Sequence, residues 1–164
     1  MESLTILNHV GSDHAGDKLT SLCLRFGYSD HGKFGTRALI AWSAKHQHHC
    51  VTATGAAEVI AGALGLKNLG LPLMGVVETI FSESRVGLVM GGDAEVAEHV
   101  FASGRSKALR YLRKLHRISI HFVYDVLSRE DCKYEHYESG KNTADLFTKP
   151  LPIKLHHTHA KIQA

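Results

Sequence analysis

The alternation of apolar and polar positions sets out the elements of this chain. Residues 4–10 are a short, mostly apolar run closed by Gly11-Ser12-Asp13, the pattern of a first strand. Residues 14–21 are polar and turn-like. Leu22, Leu24 and Phe26 then alternate with Cys23, Arg25 and Gly27, a period of two that turns one face inward. A hairpin turn over residues 27–35 leads to a third strand at 36–43. Three strands joined by tight loops predict an antiparallel meander.

The period then changes. Ala57, Ile60, Ala61 and Leu64 have helical spacing behind a cap at Thr54, and Gly62 and Gly65 weaken the end of that helix. Leu73, Val76, Val77 and Ile80 give a second helix one apolar side, with Pro72 in its first turn. Residues 85–90 read as a fourth strand ending in Gly91-Gly92-Asp93, and residues 94–102 as a helix. Ser106 caps a basic helix to Leu115, which bends near Arg117 and continues to Leu127. Residues 132–137 make a fifth strand, and Asn142 or Thr143 caps a final helix that stops at Lys149-Pro150. The resulting order predicts an α/β domain over residues 1–152: a mixed five-stranded sheet, antiparallel meander first, flanked by helices. Residues 153–164 are expected to be a frayed, His-rich tail.

Composition adds limits. A chain of 164 residues suits one domain, expected to be monomeric. Three scattered cysteines suggest reduced thiols. There is no signal-like N-terminus and no window near the ~20 apolar residues of a membrane span, so an intracellular, non-secreted protein off the membrane is expected. The net charge of +3 says little, but its distribution says more. Arg105, Lys107, Arg110, Arg113, Lys114 and Arg117 share a stretch with no acid, beside an acid-rich stretch at 82–103. Such a run is either a solvated helix face or a grip on a phosphate backbone.

Four acids fall at element ends: Asp13 after the first strand, Glu58 early in the first helix, Asp93 after the fourth strand, and Asp145 opening the last helix. Singly, each reads equally as a solvated charge or, for Asp145, as a partner of the helix dipole. Together, carboxylates converging on one cleft repel unless cations neutralise them, and hard oxygen ligands select Mg²⁺ or Mn²⁺. Two such ions can serve phosphodiester hydrolysis.

Several stretches give this set a context: SDHAGDKLTS at 12–21, LIAWSAKHQ at 39–47, VTATGAAEVIA at 51–61, GLPLMGVVETIF at 70–81, GGDAEVA at 91–97, GRSKALRYLRKLHRISI at 104–120 and, most specific, ADLFTKPLP at 144–152. In that order they resemble the ribonuclease H domain at the C-terminal end of the Pol polyprotein of Ty1/copia-type retrotransposons. The resemblance implies a ribonuclease H-like fold and a metal-dependent endoribonuclease that cuts the RNA strand of RNA/DNA hybrids during reverse transcription. It implies two Mg²⁺ ions (Mn²⁺ as a substitute) on Asp13, Glu58, Asp93 and Asp145, and backbone contacts from Arg105, Lys107, Arg110 and Arg113. The implied partners are an RNA/DNA hybrid and the reverse transcriptase domain of the same polyprotein, in the cytoplasm or in virus-like particles. The family's opening Asp, however, falls on Gly11, and Asp13 matches its second Asp. Ala94 stands where Asn is usual, and Ala53, Thr54 and Gly55 replace Ser-rich positions. An inactive remnant with the same fold is the rival expectation.

Other clusters carry less. His46, His48, His49 and Cys50 are too close in sequence to close readily around one tetrahedral zinc, and no second pair is spaced for it. Cys50 beside His49 has no evident third group to orient it as a nucleophile. Trp42 reads as strand packing, and His156, His157 and His159 as incidental composition.

Overall fold

A computed structural model describes residues 3–12, 19–30, 33–46, 53–82, 85–147 and 150–163. Five strands form one sheet in the order β3-β2-β1-β4-β5: β1 Ser3–Ser12, β2 Leu19–Asp30, β3 Lys33–His46, β4 Arg85–Gly92 and β5 Cys132–His136. The β1–β2 and β2–β3 pairs are antiparallel; the β1–β4 and β4–β5 pairs are parallel. The strands run further than their hydrophobic alternation suggested, because backbone pairing continues through the polar residues that flank it. Position 13 and residues 47–52, which include Asp13, His48, His49 and Cys50, lie outside the described residues.

β1 is central, and its two faces differ. Leu4, Ile6 and Val10 enter the main core with Asn8 buried between them, as strand alternation requires. Against them lies α1, Thr54–Gly65, in which almost every side chain is buried. Its alanines and glycines let it approach closely: a β-carbon on Gly62 would stand 2.7 Å from Phe101 Cζ, and one on Gly55 would stand 2.7 Å from Val96 Cγ1. Both partners belong to α3, Glu95–Ser103, which crosses α1.

The two helices expected around Gly65 are one rod. α1 passes through a π turn, Leu66–Gly70, into α2, Leu71–Ile80, and the backbone stays right-handed helical throughout. The extra residue in a π turn shifts the angular register of the helix beyond it. Met74 and Val77 of α2 are therefore buried while Val76 and Ile80 face solvent, not the single apolar side that spacing suggested. The rod, Thr54–Ile80, is long and apolar enough to cross a membrane, contrary to the expectation from sequence; half of its most apolar window is buried within the fold.

The basic segment also differs. Residues 108–110 form a turn, α4 is only Tyr111–Leu115, and α5 begins anew at Ile120–Leu127. The break falls at Arg117, whose φ of 54° no right-handed helix accommodates. Ser119 restarts the chain as an N-cap, its hydroxyl accepting from Phe122 N at 3.2 Å. Downstream, Thr143–Phe147 is a 3-10 turn rather than the expected α-helix. The cap itself is present: Asn142 Oδ1 accepts from Ala144 N at 3.2 Å. Pro150 disfavours helical geometry just beyond, which leaves room for little more than one turn. The tail expected to fray is α6, Ile153–Gln163. It is pinned by His159, fully buried, whose Nε2 donates to Gly140 O at 3.1 Å.

Two outcomes test this packing. Gly62→Ala forces a β-carbon onto the buried Phe101 ring; the expected cost is ~1–3 kcal/mol, reduced by up to about 1 kcal/mol of helix propensity. Phe101→Leu in the same chain should be non-additive with it. Urea denaturation of the single and double variants measures both, and a Gly62→Ala protein as stable as its parent would contradict the close crossing. The second concerns Cys132, whose thiol is pushed up to about 11 by burial, with the Asp131 charge adding. An unfolded thiol ionises near its ordinary ~8.5, so between about pH 9 and 11 the unfolded chain holds fewer protons than the folded one. Stability should fall as pH rises through that window, and less so in Cys132→Ala; identical pH slopes for the two proteins would reject the burial effect.

Candidate acidic site and basic cleft

The parallel pair β1–β4 ends its two strands side by side, so the residues at and just beyond those two ends come together. Asp93 comes directly after β4, and Gly11 and Ser12 close β1. Glu58, in the second turn of α1, is buried against that end: its Oε1 accepts from Ser12 N at 3.1 Å and from Ser12 Oγ at 2.7 Å. The odd face of β1 receives the 3-10 turn. A β-carbon on Gly11 would stand 3.3 Å from Asp145 Oδ1, 3.4 Å from Asn142 Nδ2 and 3.5 Å from Ala144 Cβ. Asp145 is itself buried.

Asn142 joins these parts. It is wholly buried, and its Nδ2 donates to Val10 O at 3.0 Å and to Asp93 Oδ1 at 3.3 Å. Glu58, Asp93 and Asp145, expected as a set from sequence, are thus gathered around the last residues of β1. Asp13 lies outside the described residues. Sequence reasoning used Asn142 only as a cap and passed over Ser12; neither has a local signal for a partner 46 or 132 residues away.

Tyr134 on β5 is a further neighbour that sequence reasoning missed. Its ring packs on Phe101 at 5.7 Å between centroids. Its phenol is held well above its ordinary range, first by burial and then by the negative charges of Glu98, Glu58 and Asp93. Glu98, Glu58 and Asp93 therefore all act on this one phenol, on the helix side of the sheet. At its rim, His136 Nδ1 sits 3.2 Å from Glu98 Oε2.

The donor set suits a hard divalent cation in kind, being carboxylate oxygens. Its arrangement does not. Glu58 Oε1 and Asp93 Oδ1 are engaged by protein donors, and residue 11 brings no acid. Among the described residues, no three His, Cys, Asp or Glu side chains stand close enough to share an ion.

The basic residues occupy a separate place. α3 spans about 13 Å, with Asp93 before it and the basic segment after it. Gly104 ends α3 in the left-handed conformation at φ 67°, its N–H donating to Val100 O at 3.0 Å, so the chain reverses there. Beyond it, Arg105, Lys107, Arg110 and Arg113 line a cleft of about 520 Å³, floored by Leu109 and Ile118 and closed by Ser119 and His121. All four basic side chains are exposed.

No protein-family model and no curated protein matches this sequence. Solved structures do match its shape. RNase H1 from the halophilic archaeon Halobacterium salinarum NRC-1 is similar over 87% of this chain and 93% of that one, with 13% identity and a TM-score of 0.52. LC11-RNase H1, isolated from compost by a metagenomic approach, matches over the full length of both chains at 14% identity and a TM-score of 0.46. The protease–reverse transcriptase of Prototype Foamy Virus matches 99% of this chain with 20% of its own, at 12% identity and a TM-score of 0.44. The fold of this chain is ribonuclease H-like.

Proposed function

We propose that this chain is the ribonuclease H domain of a Ty1/copia-type Pol polyprotein, that it engages RNA/DNA hybrids beside the reverse transcriptase domain of the same polyprotein, and that Gly11 has cost it most of its hydrolytic power. The observation that supports this most directly is the placement of Glu58, Asp93 and Asp145, from three separate parts of the chain, around the strand end that carries Gly11. An acid on residue 11 would begin within 3.3 Å of the Asp145 carboxylate, where an acidic nuclease site needs its first corner. With an acid restored at residue 11, Glu58, Asp93 and Asp145 would be the residues to hold Mg²⁺, which would supply an activated water and charge stabilisation to phosphodiester cleavage. The residues present here divide the remaining work. The cleft residues Arg105, Lys107, Arg110 and Arg113 hold the sugar-phosphate backbone, which positions a duplex without reading its bases. Buried Glu58 and Asp145, with half-buried Asp93, present carboxyl groups around the end of β1.

Cleavage of a labelled RNA/DNA hybrid in MgCl₂ tests the proposal. Gly11→Asp should cut at least ~100-fold faster than the parent, since even indirect partners of a metal site matter on that scale. Adding Asp145→Asn to Gly11→Asp should abolish the gain. Equal cleavage by parent and Gly11→Asp would refute the loss at residue 11. An absence of both cleavage and hybrid binding in the two proteins would refute the function as a whole.

The basic cleft makes its own prediction. Arg110→Ala with Arg113→Ala should weaken hybrid binding about equally across sequences. It should also flatten the slope of log affinity against log salt by roughly 1–2 units. Fluorescence anisotropy over a salt series measures this, and an unchanged slope would remove the cleft from the binding surface.

A further inference from the structure

Two features at the end of β1 run against a cation-centred arrangement of its acids. Protein donors reach the carboxylates: Ser12 N and Oγ meet Glu58 Oε1, and Asn142 Nδ2 meets Asp93 Oδ1. Asn142 Nδ2 also stands 3.4 Å from the point where a β-carbon on residue 11 would lie, with Asp145 Oδ1 3.3 Å from the same point. The position a β-carbon on residue 11 would take is therefore closely flanked by an amide donor and a carboxylate. Asn142 is not a surface side chain that settled there. It is fully buried, its Nδ2 is shared between Val10 O and Asp93 Oδ1, and its Oδ1 takes Ala144 N.

We infer that Asn142 and Ser12, as hydrogen-bond donors to Asp93 and Glu58, supply in this chain the compensation that divalent ions supply in an acidic nuclease site, so that the site keeps its shape with no divalent ion bound. The inference rests on the proposed function, in which Glu58, Asp93 and Asp145 form a nuclease-type set. Its physical basis is the cost of buried carboxylates. They persist only where cations or hydrogen-bond donors compensate them. Here the donors are built into the strand end and the turn that faces it. Residue 11, by lacking an acid, removes one of the repulsions that would call for a cation. Asn142 is thus a positioning residue, tying the Asp145 turn to both β1 and Asp93.

Thermal unfolding of the whole chain in EDTA and in millimolar MgCl₂ tests this without any activity readout. The parent should unfold at the same temperature in both. A resident ion at 100 times its dissociation constant would raise the midpoint by roughly 5–10 °C in a chain of this size, and such a rise would overturn the inference. Asn142→Asp exchanges the donor for a fourth carboxylate, facing Asp93. It should lower the midpoint in EDTA and recover part of the loss in MgCl₂; a folded Asn142→Asp protein indifferent to Mg²⁺ would count against the role given to Asn142. If that variant does not fold in either condition, Gly11→Asp decides. It places a carboxylate beside Asp145, so an Mg²⁺-dependent rise supports the inference and no response overturns it. Hybrid binding by the parent in EDTA, measured alongside, separates the two readings: its loss removes the proposed function and leaves the unfolding result to stand alone.

Discussion

Withdrawing a carboxylate from water is costly, and the hydrogen bonds around the end of β1 are what make it tolerable for Glu58 and Asp93. Each such bond to a charged oxygen contributes on the order of 1.5–3 kcal/mol, and stranding the charge costs at least as much. The Asn142 amide and the Ser12 hydroxyl carry that burden for Asp93 and Glu58. Because the same amide also holds Val10 O, the position of the Asp145 turn is fixed to the sheet's central strand. Strand, turn and helix cannot shift separately without leaving a buried polar atom without its partner.

The rest of the architecture serves that strand end. The small residues of α1 bring Glu58 close to β1, and the α1–α3 crossing sets where α3 starts, hence where Asp93 sits. α3 then carries the chain away to Gly104, which turns it toward the basic cleft. Negative and positive surfaces are thus separated by one helix. Long-range fields from the two need not cancel over such a distance at physiological ionic strength, where screening acts within about 8 Å.

Much of this was legible in the sequence, for identifiable reasons. β1, β4 and α3 follow from apolar period and Gly-rich ends, and the motifs around Glu58, Asp93 and Asp145 marked those three acids as candidates. The π turn was not legible. Nothing local announces it: Gly62 and Gly65, just before Leu66–Gly70, read as a weakened helix end rather than a change of helical register. Arg117 at positive φ was visible only as a weak point, because a strained backbone at a non-glycine residue is imposed by packing on both sides. α6 was hidden for a similar reason. Its histidines look incidental until His159 meets a carbonyl that lies 19 residues back. Asn142 shows the same limit from the other side: its type announced a cap, while its donor atoms answer to a strand at the opposite end of the chain.

That distance along the chain has a consequence in time. Val10 and Asn142 are separated by 132 positions, and closing a loop of that length costs on the order of 4 kcal/mol of chain entropy before any contact repays it. The β1–β2 and β2–β3 pairings and the α1 packing close far shorter loops, so topology favours their forming first. The acidic corner is then a late event, completed after the sheet and the helical rod already exist. A molecule caught before that step would have its core and its basic cleft and still lack the one arrangement that makes its carboxylates a set.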